Sequence, residues 1–233
     1  MPSEYQLPVR VQLARGILRP VFRLIFHALS RVIITGKTNV PPRGAYLVAV
    51  NHVSLFEAPL ICAFWPKPLE ALGAAEVWDR PGQGLLARLY GGIPVHRGEY
   101  DRQMLDTALT ILNSGYPLVL APEGERSHTP GMQPAYNGIA YLIEKSQVPV
   151  IPVGIVGSTD DFLERALNRA RPSIEMHIGR PIIIPSSDAR GAERRKTRQQ
   201  HTDWVMTEIA ALLPPEYRGY YLNYVNDNGK THQ

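Results

Sequence analysis

A histidine and a carboxylate stand five positions apart in Asn51-His52-Val53-Ser54-Leu55-Phe56-Glu57, directly after the apolar run at residues 46–50. A histidine held by a carboxylate at a strand end can take a proton from a hydroxyl, and the hydroxyl so activated can attack an activated carbonyl. The spacing constrains the geometry. On one unbroken helix, five positions correspond to a rotation of about 140°, at roughly 100° per residue, so the two side chains would not meet. They meet if His52 lies on the elbow before the helix, with Ser54 as its N-cap and Glu57 in its first turn. The same residues also read as a plain capping box, Ser54-x-x-Glu57, which needs no catalysis.

Two further segments deliver an arginine at a predicted strand end. One is Gly91-Gly92-Ile93-Pro94-Val95-His96-Arg97, and the other is Ala121-Pro122-Glu123-Gly124-Glu125-Arg126-Ser127. Sites in α/β sheets assemble at strand ends, and a guanidinium offers paired donors that suit a phosphate. Either segment alone also reads as a surface turn. A proline-bounded apolar strand, Val148-Pro149-Val150-Ile151-Pro152-Val153, fits the core or the wall of an acyl pocket.

In this order the four blocks resemble those of the glycerolipid acyltransferase family, which includes bacterial 1-acyl-glycerol-3-phosphate acyltransferases. The similarity in layout runs over residues 37–180. The resemblance implies that His52 deprotonates the acceptor hydroxyl and Glu57 orients and charge-balances the ring. It implies that Arg97, Glu123, Gly124 and Arg126 bind the acceptor's phosphate, and that residues 148–152 form the acyl-side block. The donor would be an acyl thioester, acyl-CoA or acyl carrier protein, attacked directly, with no cofactor and no metal. Neither Ser54 nor Cys62 would then be a nucleophile. The acceptor implied is a lysophospholipid, foremost 1-acyl-glycerol-3-phosphate giving phosphatidic acid. Two positions depart from the family pattern: Glu57 stands where aspartate is usual, and Glu125 where threonine is usual. They leave room for a catalytically weak lipid-binding module, for a hydrolase, or for transfer to a different glycerolipid or glycolipid acceptor.

The 233 residues suffice for one domain with a core of its own, and the single cysteine, Cys62, excludes an internal disulfide framework. Net charge is +4, unevenly spread. Between Tyr5 and Phe56 there is no acidic residue, while six arginines and Lys37 give that stretch +7 and leave the remainder at −3. Arg15, Arg19, Arg23, His27 and Arg31 recur every four residues, so a helix gathers them on one stripe, opposite Ile17, Leu18, Phe22, Leu24 and Ile25. That is a basic amphipathic helix, suited to an anionic bilayer interface or to packing its apolar face on the body, with Pro20 expected to kink or restart it. No run approaches the roughly 18 apolar residues of a span, and arginines interrupt any signal-peptide core. The expectation is a peripheral or monotopic protein on the cytoplasmic face of a membrane. Nucleic acid is not an expected partner, because the basic helix lacks interleaved stacking aromatics.

After Gly36, short apolar runs alternate with helical patterns and turn residues, which predicts an α/β fold with a mixed central sheet and helices on both faces. The expected organisation is a basic helical segment at 1–35, an acyltransferase α/β domain at 36–225 and a frayed tail at 226–233. Residues 190–198 carry five basic residues and one acid, which fits a solvated loop or a second lipid-facing contact.

Overall fold

A computed structural model of the chain describes residues 4–95 and 102–228. In chain order the elements are α1 (Val9–Leu29), β1 (Arg31–Thr35), β2 (Leu47–Val50), α2 (Glu57–Phe64), β3 (Glu70–Ala74), α3 (Gln83–Tyr90), β4 (Ile93–Val95), α4 (Arg102–Asn113), β5 (Leu118–Leu120), α5 (Gly138–Ser146), β6 (Val150–Val156), α6 (Phe162–Leu167), β7 (Ser173–Ile178), α7 (Gly191–Ala211) and α8 (Leu222–Asn228). The strands form one sheet in the order β1-β7-β6-β2-β5-β3-β4. From β6 to β4 they run parallel, while β7 and β1 run the opposite way. The sheet is mixed, as the sequence predicts.

Central strands buried on both faces must be apolar at every position, and β2 and β6 are. The two-residue period of a strand then sends alternate side chains to different layers. Leu47 and Ala49 pack with Leu105 and Ile111 of α4, Ile139 of α5 and Val205 and Ile209 of α7. Tyr46, Val48 and Val50 join Leu60, Ile61 and Phe64 of α2 on the other face, with Phe26 of α1 and Phe162. The proline-bounded block at 148–152 is therefore core from Val150 on: Val150 and Ile151 have no solvent exposure and wall no open pocket.

The N-terminal helix forms over Val9–Leu29 and continues through Pro20. Its packing opposes the reading in which the apolar face rests on the body. Arg15, Arg19 and Arg23 turn inward, while Val9, Leu13, Ile17 and Leu24 are 66–72% exposed. The cause lies at the ends of two other helices. The last carbonyls of a helix have no intrahelical donor and carry the negative end of its dipole. Arg19 Nε donates to the Cys62 carbonyl (3.0 Å) and its Nη2 to that of Trp65, while Arg23 Nε donates to the Ala63 carbonyl (2.7 Å), so both cap α2. Arg15 Nε donates to the Tyr90 carbonyl at the end of α3 (2.7 Å), and its Nη1 and Nη2 form a two-pronged ion pair with Glu70, both bonds 2.7 Å. Tyr5 donates its hydroxyl to the same carboxylate (2.7 Å). Gly91, at φ +75°, ends α3 where any Cβ would strike Val11 of α1 at 2.6 Å. The arginine stripe thus serves the fold and leaves the apolar stripe facing outward.

Two further expectations change. The boundary at 36 cuts off β1, which pairs with β7 along five residues and is one of the two outer strands of the sheet. The basic stretch at 190–198 is the first half of α7, where Arg194 and Arg198 both bond Glu144 of α5. Two of its cations therefore face a helix carboxylate across the interface of α5 and α7.

Candidate active site

The site begins at the central strand. Asn51, fully buried, locks the end of β2 to β6: its Nδ2 donates to the Ile155 carbonyl (3.0 Å), and its Oδ1 accepts the Ile155 N–H (2.7 Å). With its amide satisfied on both sides, the chain leaves the sheet at a fixed point, and His52 is the next residue. Its N–H donates to Glu123 Oε1 (2.9 Å), and its carbonyl accepts the Ser127 N–H (2.9 Å). The backbone of His52 is thus tied to the loop that follows the adjacent strand, β5.

The ring of His52 meets Glu57, with Nδ1 2.6 Å from Oε2. Glu57 opens α2 and is 2% exposed. Its other oxygen accepts the N–H groups of Val53 and Ser54, each at 2.9 Å, and the Ser158 hydroxyl at 2.6 Å. A carboxylate offers only acceptors, and all four neighbours donate to it. The imidazole proton consequently sits on Nδ1, and Nε2 carries the lone pair. Among the described residues nothing bonds Nε2, and the side chain is 20% exposed. A base with its proton fixed on the far nitrogen and its lone pair open to a ligand is the arrangement that abstracts a hydroxyl proton.

Both sequence readings of Glu57 hold in part. The helix starts at Glu57, with Phe56 as N-cap, later than expected. Ser54 Oγ accepts the Phe56 N–H (3.1 Å) instead of capping the helix, while Glu57 reaches back to the Ser54 N–H as a capping-box glutamate does. The cap is what aims its second oxygen at His52.

The other candidate residues divide. Arg97 lies outside the described residues. Glu123 does not face a ligand: at 1% exposed, it bridges the N–H groups of His52 and Gln133 (2.9 and 2.7 Å). Burial pushes its carboxyl up to about 7, against the two N–H bonds, which lower it. It ties the backbone of His52 to that of Gln133. Gly124 adopts φ +75°, and a Cβ there would meet the Tyr136 ring at 2.8 Å, so a side chain at this position would be strained and would displace that ring. Arg126 remains as a candidate grip for an anion. It is 16% exposed, and its Nη1 lies 3.8 Å from Asp160 Oδ1. A pair that long with a half-exposed acid contributes little, so an anionic ligand could take the acid's place. Glu125 is exposed and forms no ion pair among the described residues.

Cys62 and Ser54 are not poised as nucleophiles. Burial pushes the Cys62 thiol up to about 11, and it sits at the far end of α2. The residues that sequence reasoning missed are Ser158 and Asp160, which follow β6 about a hundred positions from His52 and carry no local signal. Ser158→Ala removes the shortest bond to Glu57 Oε1. The expected result is a lower kcat, by about 1.5–3 kcal/mol of barrier for a hydrogen bond to a charged group, with KM unchanged and a shifted pH–rate profile. Steady-state kinetics across pH measures both.

A family model described as Acyltransferase matches residues 31–156, more than half of the chain. The chain belongs to the Acyltransferase family. All of the site except Ser158 and Asp160 falls within that matched stretch of this family member. Among curated relatives, it is similar to the 1-acyl-sn-glycerol-3-phosphate acyltransferase alpha of Mus musculus, 29% identical over 153 residues, covering 63% of this chain and 53% of that one. The chain thus spans about half the length of that relative. It is also similar to the lyso-ornithine lipid O-acyltransferase of Pseudomonas aeruginosa, 28% identical over 228 residues, covering 91% of this chain and 84% of the relative. In fold it is similar to the 1-acyl-sn-glycerophosphate acyltransferase PlsC from Thermotoga maritima, at a TM-score of 0.58 and 22% identity over 82% of this chain and 76% of that one.

Proposed function

We propose that this acyltransferase-family protein moves a fatty acyl group from an acyl thioester, acyl-CoA or acyl carrier protein, to the free hydroxyl of a lysophospholipid, foremost 1-acyl-glycerol-3-phosphate, giving phosphatidic acid. The observation that carries the reading is the His52–Glu57 pair, with Nε2 open and Nδ1 held at 2.6 Å. His52 Nε2 takes the proton of the acceptor hydroxyl as its oxygen bonds the thioester carbonyl carbon. The tetrahedral oxyanion then collapses, the carbon–sulfur bond breaks, and the departing thiolate takes the proton from the imidazolium. Glu57 stabilises that imidazolium and keeps the ring from turning. Arg126 gives up Asp160 to bind the acceptor's phosphate, with Arg97 as the second expected donor.

Glu57→Asp tests whether the glutamate is an impairment. Aspartate is one methylene shorter and cannot keep both the loop N–H bonds and the ring bond from the same backbone position. The expected result is a loss of kcat of about tenfold or more, in line with a weakened bond to a charged group. A gain of turnover in that variant would mark a degraded enzyme instead.

A second acceptor, lyso-ornithine lipid, is favoured by the near full-length match to the Pseudomonas relative. Ornithine offers an ammonium, and exposed Glu125 and Asp160 flank Arg126 with negative charge. Side-by-side turnover of both acceptors, with both donor types, decides between them. Higher kcat/KM on 1-acyl-glycerol-3-phosphate supports the first reading, and the reverse order overturns it.

Among the described residues no helix is long and apolar enough to cross a membrane. The protein is proposed to lie peripherally or monotopically on the cytoplasmic face, with the outward stripe of α1 in the bilayer interface. Leu85 and Leu89 of α3, which packs on α1, are exposed as well.

A further inference from the structure

A pocket of about 750 Å³ opens at the end of the sheet opposite His52. Its walls come from α1 and from the residues just before β2, β3 and β5. The catalytic residues follow the other ends of β2 and β5, so the two places are about 15–20 Å apart at about 3.3 Å per strand residue. Five cations and one carboxylate line the pocket. Arg15 and Glu70 cancel each other, which leaves Arg19, Arg23, Arg43 and Lys67. None of these four forms an ion pair among the described residues.

The partners that Arg19, Arg23 and Lys67 do have are neutral carbonyls. Carbonyls satisfy individual N–H groups without cancelling a full charge. Nη1 of Arg19 and both Nη groups of Arg23 have no protein acceptor among the described residues. Burial first, and then the charge of Arg23, lower the proton affinity of Arg19, as expected for like charges sharing a partly dehydrated wall. A bound anion would relieve both effects. Terminal phosphate oxygens match the paired donors of a guanidinium better than a chloride does.

The position of the pocket selects the source of the phosphate. At about 100° per residue, Arg23 stands about 40° beyond Val9, at the edge of the exposed apolar stripe, and Arg19 about 40° further round toward the buried face. A helix lying in a bilayer interface along that stripe carries the Arg23 side of the pocket at headgroup level. We propose that this pocket is a second anion site, distinct from the catalytic centre, that holds the phosphate of a bilayer phospholipid headgroup while the stripe of α1 lies among the acyl chains. The inference rests on the reading of α1 as a membrane-surface helix. It makes phosphomonoester lipids, with the most terminal oxygens and the highest charge, the best ligands.

The test uses the full chain, cosedimented with phosphatidylcholine vesicles with and without phosphatidic acid. Arg43→Gln with Lys67→Gln removes two exposed pocket cations while sparing the arginines that cap α2. Wild type is expected to prefer the phosphatidic acid vesicles, and the double variant to lose about tenfold or more of that preference, at roughly fivefold per charge. Its binding to phosphatidylcholine alone is expected to be unchanged. Arg31→Gln with Lys37→Gln removes the same charge from exposed positions outside the pocket and is expected to keep most of the preference. Equal losses in the two double variants would overturn the pocket in favour of a diffuse field. Loss of the preference with millimolar inorganic phosphate at constant ionic strength would reassign the pocket to free phosphate. Equal wild-type binding to both vesicles would overturn the headgroup site alone, whereas no binding to either would overturn the membrane reading beneath it.

Discussion

His52→Ala is expected to lower acyl transfer by about a hundred- to ten-thousandfold, the range for removing a positioned general base. The effect is expected in kcat, because in the proposed mechanism the proton moves only as the new bond forms. Folding should survive, since the two contacts of His52 to the loop after β5 are made by its backbone N–H and carbonyl. Glu57 loses one donor but keeps three. Initial-rate kinetics beside a circular dichroism spectrum separates the two outcomes. Retained turnover in a folded variant would mean that another group takes the proton.

The second large effect concerns the cluster beneath α1. Arg15 and Glu70 are each 1% exposed, and their two-pronged pair is completed by Tyr5 and the Tyr90 carbonyl. Removing one partner strands a charge in the interior, so Glu70→Ala is expected to cost about 3–5 kcal/mol, read from the urea midpoint. Replacing both partners by apolar residues of similar size, Arg15→Met with Glu70→Leu, is expected to recover most of that loss. A cost below about 1 kcal/mol for the single variant, the range of exposed pairs, would show that α1 is not docked through this pair.

The sheet was legible wherever a strand is buried on both faces, because continuous apolar runs bounded by proline or glycine have few alternatives. The apolar run at 46–50 contains β2, Leu47–Val50, and the proline-bounded run at 148–153 overlaps β6, Val150–Val156, for this reason. The orientation of α1 was not. A four-residue recurrence of arginines defines a stripe, but not what receives it. The receivers are carbonyls at the ends of α2 and α3, about 40 to 75 positions away. Amphipathicity gave the axis of the helix and left its sign open.

The site divides in the same way. His52 and Glu57 were legible because a strand end and a helix start are both local features. Glu123 stands beside Arg126 in a segment that suggests a ligand, but its carboxylate accepts two backbone N–H groups, a pairing that needs the fold to be seen. Ser158 was invisible, because a serine after a strand has no signature until the fold brings it within 2.6 Å of Glu57.

The most direct measurement is thiol release from an acyl thioester by the purified protein, with and without 1-acyl-glycerol-3-phosphate. Direct attack by an acceptor hydroxyl that His52 has deprotonated requires that thiol appear only with acceptor present, one equivalent for each phosphatidic acid formed. A stoichiometric burst of thiol without acceptor, or steady release matched by free fatty acid, would contradict it.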